Sequence, residues 1–233
     1  MSTTAGSGSS AGSGLRTYLA PSVLSADQAR LADQVGLVEE HAEALHVDFM
    51  DGHFVPTLGF SPEVVRALKN VTALPLRCHL MVSAPDQFVD TLADFGADLI
   101  TVHHECGESA DRALVSSRER GVKTGLALKL ETPVAAIEER LDQIDAVLIM
   151  SIVPGWSGQP FEEDALRRIE ETRALIDARG LPVDVEVDGG VNAETGQRCI
   201  AAGATVLAAA TAVFQADDPA EAARQMAGIA AGD

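Results

Sequence analysis

The sequence predicts a single-domain (β/α)8 barrel, because eight short apolar segments alternate with longer amphipathic segments along almost the whole chain. A length of 233 residues is normal for such a barrel. Apolar residues make up 46% of the chain and aromatic residues only 4%, which predicts an aliphatic core. The alternative is a doubly wound open sheet, but no G-x-G-x-x-G motif follows the first predicted strand.

Each predicted strand is a short aliphatic run bounded by polar or turn residues. The eight predicted strands are 19–24, 44–48, 76–81, 99–103, 123–128, 146–150, 184–188 and 205–209. The segments between them have helical periodicity, for example 27–42, 133–143 and 162–180, and a last helix is predicted over 218–230. Several of these helical segments end at glycine, which is typical of helix C-termini.

Composition sets the predicted domain organisation and excludes some partners. Residues 1–16 are rich in Gly and Ser and are predicted to form a disordered tail, followed by the barrel domain over 17–233. The net charge of −18 argues against binding to nucleic acid or anionic membranes. Three cysteines without a C-x-x-C pair, and the lack of signal-peptide features in the tail, favour a cytoplasmic protein.

Polar residues at predicted strand ends are the candidate active-site residues, because barrels of this kind place their active sites there. His46 and Asp48 share one face of the second strand, and His79 and Asp188 lie in the third and seventh strands. If these faces point inward, two imidazoles and two carboxylates converge, a donor set that suits zinc, iron or manganese. A single strand-end histidine is more often structural, so the prediction depends on all four residues together.

Two carboxylates beside a divalent metal suit proton transfer at an α-hydroxyketone. The metal stabilises an enediolate, while Asp48 and Asp188 act on opposite faces of the substrate and invert the carbon. Met50, Met81 and Met150 are predicted to shield the intermediate from water, although packing in the core explains these methionines equally well.

Six segments in chain order resemble the ribulose-phosphate 3-epimerase family. They are APSVLSAD (20–27), HVDFMDGHFVP (46–56), CHLMVSAPDQFV (78–89), ADLITVH (97–103), VLIMSIVPGWSGQPF (147–161) and EVDGGV (186–191). The resemblance extends from about Tyr18 to the last helix. The family interconverts D-ribulose 5-phosphate and D-xylulose 5-phosphate in the pentose phosphate pathway and uses a divalent metal.

The resemblance implies roles for individual residues and for partners. It implies that His46, Asp48, His79 and Asp188 bind the metal, and that Asp48 and Asp188 are the acid/base pair. It also implies that Ser22, like His79, contacts the substrate. The implied ligand is a small sugar phosphate, and the implied assembly is a homo-oligomer, a dimer or a hexamer.

Several loops around the implied phosphate site depart from the family pattern. Gly189 and Gly190 match the family, as do Gly155 and Gly158. Trp156 and Ser157 replace Phe and Gly, and Thr57 and Ser61 replace Asn and Gly. Ala210, next to Thr211, replaces a phosphate-contacting glycine. A Cβ at position 210 costs about 1–2 kcal/mol if the backbone there requires a positive φ.

These departures leave alternative functions open. The same acid/base chemistry could act on another ketose phosphate, such as D-allulose 6-phosphate, or on a sugar derivative. Decarboxylase barrels of the orotidine-phosphate and keto-gulonate-phosphate type place a lysine where this chain has Met50. A non-catalytic sugar-phosphate-binding barrel, or a purely structural one, would have to keep a buried polar cluster without a metal, which is costly.

Overall fold

The computed structural model describes residues 16–232, and its eight strands form one parallel sheet in the order β1-β8-β7-β6-β5-β4-β3-β2. The strands are β1 (Tyr18–Leu19), β2 (Leu45–Met50), β3 (Leu76–Met81), β4 (Leu99–His103), β5 (Lys123–Leu128), β6 (Ala146–Met150), β7 (Asp184–Asp188) and β8 (Val206–Ala208). The predicted tail lies, apart from Arg16, outside the described residues.

Backbone hydrogen bonds between the two ends of this strand order close the sheet. The amide of Glu43 donates to the carbonyl of Leu19 at 3.1 Å, and the amide of His46 donates to the carbonyl of Pro21 at 3.0 Å. Ser22 and His46 also form an isolated parallel bridge. The predicted (β/α)8 barrel is therefore confirmed.

The first strand is shorter than predicted. It covers Tyr18–Leu19 instead of 19–24: Pro21 has no amide hydrogen to donate toward β2, and a 3-10 turn begins at Val23. The chain stays extended as far as Ser22, whose amide donates to the carbonyl of Ala209 at 2.9 Å. The Ser22 hydroxyl then caps a 3-10 turn over Val23–Ser25. This turn follows directly after the bridge between Ser22 and His46 of β2.

Helices follow the strands, as the barrel topology requires. They are α1 (Leu31–Val38), α2 (Glu63–Lys69), α3 (Val89–Phe95), α4 (Glu108–Glu119), α5 (Asp164–Arg179), α6 (Ala193–Ala202), α7 (Thr211–Phe214) and α8 (Pro219–Ala231). The predicted helix over 133–143 is instead a 3-10 segment, Val134–Gln143. Glycines in the left-handed conformation end α3, α5, α6 and α8, which confirms that part of the sequence analysis.

The two faces of the sheet differ in chemistry. The outward face packs on the helices through an aliphatic core that includes Val47, Phe49 and Cys78, so Cys78 points away from the barrel interior. The interior instead contains buried polar side chains, among them Arg77 and Glu186. Within residues 16–232, no helix is both long enough and apolar enough to cross a membrane.

Gly59 allows the loop after β2 to fold back onto the end of that strand. Its amide donates to the carbonyl of Met50 at 3.1 Å. A Cβ at Gly59 would lie 2.7 Å from the amide nitrogen of Met50 and 2.8 Å from the carbonyl oxygen of Asp48. Because both atoms belong to the backbone, no side-chain rotation can relieve that contact.

We therefore expect Gly59→Ala to lower the free energy of unfolding by about 1–3 kcal/mol, since strand β2 must shift. The matched control is Gly36→Ala in α1, where a Cβ would meet no described heavy atom within 4 Å. That control should raise stability by about 0.5–1 kcal/mol through helix propensity. Urea unfolding of the metal-free protein measures both, and equal stabilities for the two variants would contradict the expectation.

Candidate metal centre and active site

Four predicted ligand residues converge inside the barrel near the C-terminal ends of the strands. His46, Asp48, His79 and Asp188 each offer one ligand atom, and these atoms all lie within 4.8 Å of one another. Strand alternation explains the meeting, because His46 and Asp48 share the inward face of β2. His79 lies in β3 and Asp188 ends β7.

Asp48 lies at the centre of this cluster. Its Oδ1 is 3.1 Å from Nε2 of His46 and 3.0 Å from Nδ1 of His79. Its Oδ2 accepts a hydrogen bond from the Ser22 hydroxyl at 2.7 Å. Asp188 approaches from the other side, with its Oδ2 3.9 Å from the same His46 nitrogen and 3.7 Å from the same His79 nitrogen. Both imidazoles therefore face both carboxylates.

The two carboxyl groups differ in their tendency to hold a proton. Burial favours the neutral form of Asp48, but the imidazoles of His46 and His79 outweigh burial and hold its pKa well below the usual range. Burial raises the pKa of Asp188 to about 6, and the nearby charge of Asp48 adds to this effect. Without a cation, the cluster thus holds one carboxylate and one carboxyl group that retains its proton in mild acid.

A chain of buried hydrogen bonds between charged side chains holds the ring of His46 on the side away from the pocket. Nδ1 of His46 is 2.8 Å from Oε1 of Glu186, whose Oε2 accepts two hydrogen bonds from Arg77 at 2.7 and 2.9 Å. Arg77 also donates to the hydroxyl of Tyr18 at 2.7 Å and to Asp184 at 3.2 Å. Burial alone would raise the pKa of Glu186, but Arg77 and His46 lower it to about 2. An ionised Glu186 accepts the Nδ1 hydrogen of His46 and leaves Nε2 free to bind a cation.

His79 has a different support. Its Nε2 lies 2.9 Å from Nε2 of His103, and Nδ1 of His103 lies 3.2 Å from Oε2 of Glu105. Burial lowers the pKa of His103 to about 4, so this imidazole is neutral.

The sequence analysis missed Arg77, Glu186, His103 and Glu105. Two signals in the sequence could have found three of them. By strand alternation, Arg77 and Glu186 lie two residues before His79 and Asp188 on the same strand faces. His103 is a polar residue at the end of β4.

The chemistry of the donors fits a divalent transition metal. Two imidazole nitrogens and two carboxylates from three strands point at a common centre, as such ions prefer. Glu186 and His103 contact the remaining ring nitrogens of the two histidines, as partners of metal-binding histidines commonly do. The cluster could therefore hold one divalent cation.

A pocket opens above the cluster, with Asp48 and Asp188 in its wall. The other predicted substrate contacts that line it are Ser22, Met81, Met150, Gly155, Trp156, Ser157, Gly158, Gly189, Gly190, Ala210 and Thr211. His79 lies fully buried beneath the pocket. Met50 lies outside the lining and packs against Val55 and Met81.

The loop after β7 has a conformation that requires glycine. Gly189 and Gly190 have φ values of 114° and 60°, and a Cβ on Gly190 would lie 2.9 Å from backbone atoms of Phe161. Ala210 has a φ of −106°, so its Cβ brings no backbone strain. Within the described residues, the backbone amides of Gly189, Gly190 and Ala210 donate to no protein acceptor.

Two of the loop departures, Thr57 and Ser157, join loops to one another. The hydroxyl of Thr57 donates to the carbonyl of Gly155, and the hydroxyls of Ser25 and Ser157 lie 3.0 Å apart. Trp156 is 46% exposed at the mouth of the pocket. Ser61 precedes α2 and does not line the pocket.

The fold is that of a (β/α)8 barrel, and the candidate reaction centre lies at the C-terminal ends of its strands, where enzymes of this fold place their active sites. Residues 18–214 match the ribulose-phosphate 3-epimerase family, and the chain belongs to this family. It is therefore an isomerase of the epimerase type.

Curated relatives agree over most of the chain. Ribulose-phosphate 3-epimerase of Bacillus subtilis is 42% identical over 212 residues, covering 90% of this chain and 98% of that protein. The chloroplastic ribulose-5-phosphate-3-epimerase of Arabidopsis thaliana is 43% identical and covers 88% of this chain and 74% of that protein. The solved structure of KGPDC from Streptococcus mutans has a TM-score of 0.70 at 17% identity, with 92% of this chain and 97% of that chain covered. At that identity, the likeness concerns the fold alone.

The raised pKa of Asp188 leads to a prediction about pH. A proton on Asp188 competes with a cation, so affinity for Zn²⁺ should rise as the pH increases through about 6. Competition with a chromophoric chelator between pH 5 and 8 measures this dependence. Asp188→Asn should bind more weakly and lose that part of the pH profile. An affinity in the unmodified protein that stays constant between pH 5 and 7 would contradict the prediction.

Proposed function

We propose that the chain is a metal-dependent ribulose-phosphate 3-epimerase that inverts C3 of D-ribulose 5-phosphate to give D-xylulose 5-phosphate. The observation that carries this proposal is the convergence of His46, Asp48, His79 and Asp188 beneath a pocket, in a chain of this family. These four residues would bind one divalent cation: zinc, iron or manganese. When bound, the cation supplies positive charge that stabilises the negative charge developing on the substrate oxygens at C2 and C3.

Asp48 and Asp188 perform the proton transfers in this proposal. They extend from β2 and β7, and both line the pocket. One carboxylate takes the proton from C3, and the other returns a proton to the opposite face of the planar enediolate. The two exchange roles when the reaction runs in reverse. The hydrogen bond from Ser22 to Oδ2 of Asp48, at 2.7 Å, fixes the orientation of that carboxylate.

Apolar side chains would protect the intermediate. Met81 and Met150 line the pocket beside the two aspartates, and both are buried. They exclude water from the space above the cluster, so the enediolate is not protonated by solvent before the second aspartate acts. Met50 contributes from behind, through its contact with Met81.

Backbone amides would bind the phosphate group. Those of Gly189, Gly190 and Ala210 have no protein acceptor within the described residues, and all three residues line the pocket. Gly155, Gly158 and Thr211 complete this part of the lining. Because the chain carries a net charge of −18, an anionic substrate depends on such local donors.

A second candidate substrate is another ketose phosphate, for example D-allulose 6-phosphate. The changed rim of the pocket favours it, since Trp156 stands exposed at the mouth and Ser157 contacts Ser25 across it. In this candidate the acid/base chemistry is unchanged, and only the part of the ligand near the rim differs.

The setting of the enzyme also belongs to the proposal. We infer a single barrel domain over 17–233 behind a tail over 1–16, and a cytoplasmic homo-oligomer, a dimer or a hexamer. The acidic composition supports a small-molecule partner in place of nucleic acid or a membrane.

The test is solvent deuterium incorporation into D-ribulose 5-phosphate by metal-loaded protein, followed by NMR. Deuterium at C3 together with D-xylulose 5-phosphate is the expected result. Asp188→Asn should lower kcat by about 10²–10⁴-fold, because one of the two proton transfers loses its acid/base group. Asp142→Asn, a surface change in the Val134–Gln143 segment, is the matched control and should leave kcat unchanged.

Two results would contradict the proposal in different ways. Near-normal turnover by Asp188→Asn would exclude the two-aspartate mechanism. An absence of label from D-ribulose 5-phosphate in metal-loaded protein would exclude that substrate, and the same assay on D-allulose 6-phosphate would then test the second candidate.

A further inference from the structure

A chain of three side chains runs from the metal-ligand cluster to the loop after β5. It starts at His79, passes through His103 at the end of β4, and ends at Glu105. Glu105 in turn accepts hydrogen bonds from the backbone amide of Lys129, at 2.9 Å, and from the hydroxyl of Thr132. His79 and His103 are fully buried, so water does not offer alternative partners to their ring nitrogens.

The contacts of Glu105 fix the direction of every hydrogen bond in this chain. A carboxylate that accepts from Lys129 and Thr132 is an acceptor toward His103 as well, so Nδ1 of His103 carries the hydrogen. A neutral imidazole has one such hydrogen, which makes Nε2 of His103 an acceptor.

The partner of that acceptor is Nε2 of His79, only 2.9 Å away, and it must therefore donate. When His79 binds a metal it is a neutral imidazole, so with its hydrogen on Nε2 the lone pair lies on Nδ1. This nitrogen is the one that faces Asp48 at 3.0 Å and Asp188 at 3.7 Å.

We propose that His103 and Glu105 are positioning residues for the metal centre, which hold the ring hydrogen of His79 on Nε2 and so direct the lone pair of Nδ1 to the cation. This inference rests on the metal site of the proposed function. It adds to that site an orienting route through a second imidazole, whereas His46 is oriented directly by a carboxylate.

The aromatic ring of Phe54 helps to keep this route in place. Its centroid lies 4.8 Å from that of His103, and the ammonium of Lys129 lies 3.8 Å from the centroid of the same ring. Phe54 and Lys129 thus link the loop after β2 to the loop after β5 next to His103. Rotation of the His103 ring would disturb its contact with Phe54.

Glu105→Gln is the sharpest test, because it changes the direction of the hydrogen bonds with little change in shape. The amide oxygen of the glutamine still accepts from Lys129 and Thr132, so its NH2 group faces Nδ1 of His103 and donates to it. His103 must then carry its hydrogen on Nε2. There it points at the hydrogen on Nε2 of His79, and neither nitrogen can accept a hydrogen bond. We expect affinity for Zn²⁺ to fall about 10–100-fold, as for other partners of metal-binding histidines.

Two measurements report the outcome: chelator competition for the dissociation constant of Zn²⁺, and long-range ¹H–¹⁵N NMR of zinc-loaded protein for the ring hydrogens. In the unmodified protein, His79 should carry its hydrogen on Nε2 and His103 on Nδ1. In Glu105→Gln, the hydrogen of His103 should move to Nε2. His103→Leu, which removes the acceptor, should also weaken zinc binding, and if it does not fold, Glu105→Gln decides alone.

The controls separate this route from loosening of the loop. Thr132→Val removes a contact of Glu105 and leaves the imidazole chain intact, and His104→Gln changes the neighbouring histidine outside the chain. Both should bind Zn²⁺ as the unmodified protein does. Unchanged affinity in Glu105→Gln, or a hydrogen on Nε2 of His103 in the unmodified protein, would overturn the inference alone. Failure of the unmodified protein to bind Zn²⁺ would overturn the metal site as well.

Discussion

The structure depends on one electrostatic constraint: two carboxylates and two imidazoles share a small space inside a barrel that is almost closed to water. Asp48, at the centre, is only 2% exposed. Buried charge is costly unless hydrogen bonds or opposite charges compensate for it. The Ser22 hydroxyl, the Arg77–Glu186 pair and the His103–Glu105 pair supply that compensation from three directions. The polar interior below and beside the site is therefore a requirement of the site itself.

The barrel and the convergence of His46, Asp48, His79 and Asp188 could be predicted because both depend on local rules. Strand alternation and the strand-end position of active sites need only a few neighbouring residues. The same rules place Arg77, Glu186 and His103 on inward strand faces or at a strand end, but they do not give the partners of these residues. His46 meets Glu186 across 140 positions of sequence, and that meeting depends on how the strands are staggered around the ring. The short β1 reflects the 3-10 turn at Val23–Ser25 inside an otherwise strand-like pattern, together with the missing amide hydrogen of Pro21 on the side of β2.

The loops around the proposed phosphate site show a different limit of sequence reasoning. The effect of alanine at position 210 depended on the sign of one backbone angle, and the observed φ of −106° removes the expected strain. The sequence gave no indication of which residues Thr57 and Ser157, which replace Asn and Gly of the family pattern, would form hydrogen bonds with. In the structure, these residues bond to Gly155 and Ser25, which belong to neighbouring loops of the rim.

The rim contacts and the cluster contacts do not share hydrogen bonds: Thr57 and Ser157 bond to other loops, while Arg77 and Glu186 support His46 from inside the sheet. Under the proposed function, substrate selectivity and proton transfer thus lie in separate layers of the molecule. Substitutions in the rim loops, one loop at a time, can change the entrance without disturbing the hydrogen bonds of the buried cluster. A barrel built in this way is suited to divergence, because a lineage can alter the rim while it retains the four-residue cluster.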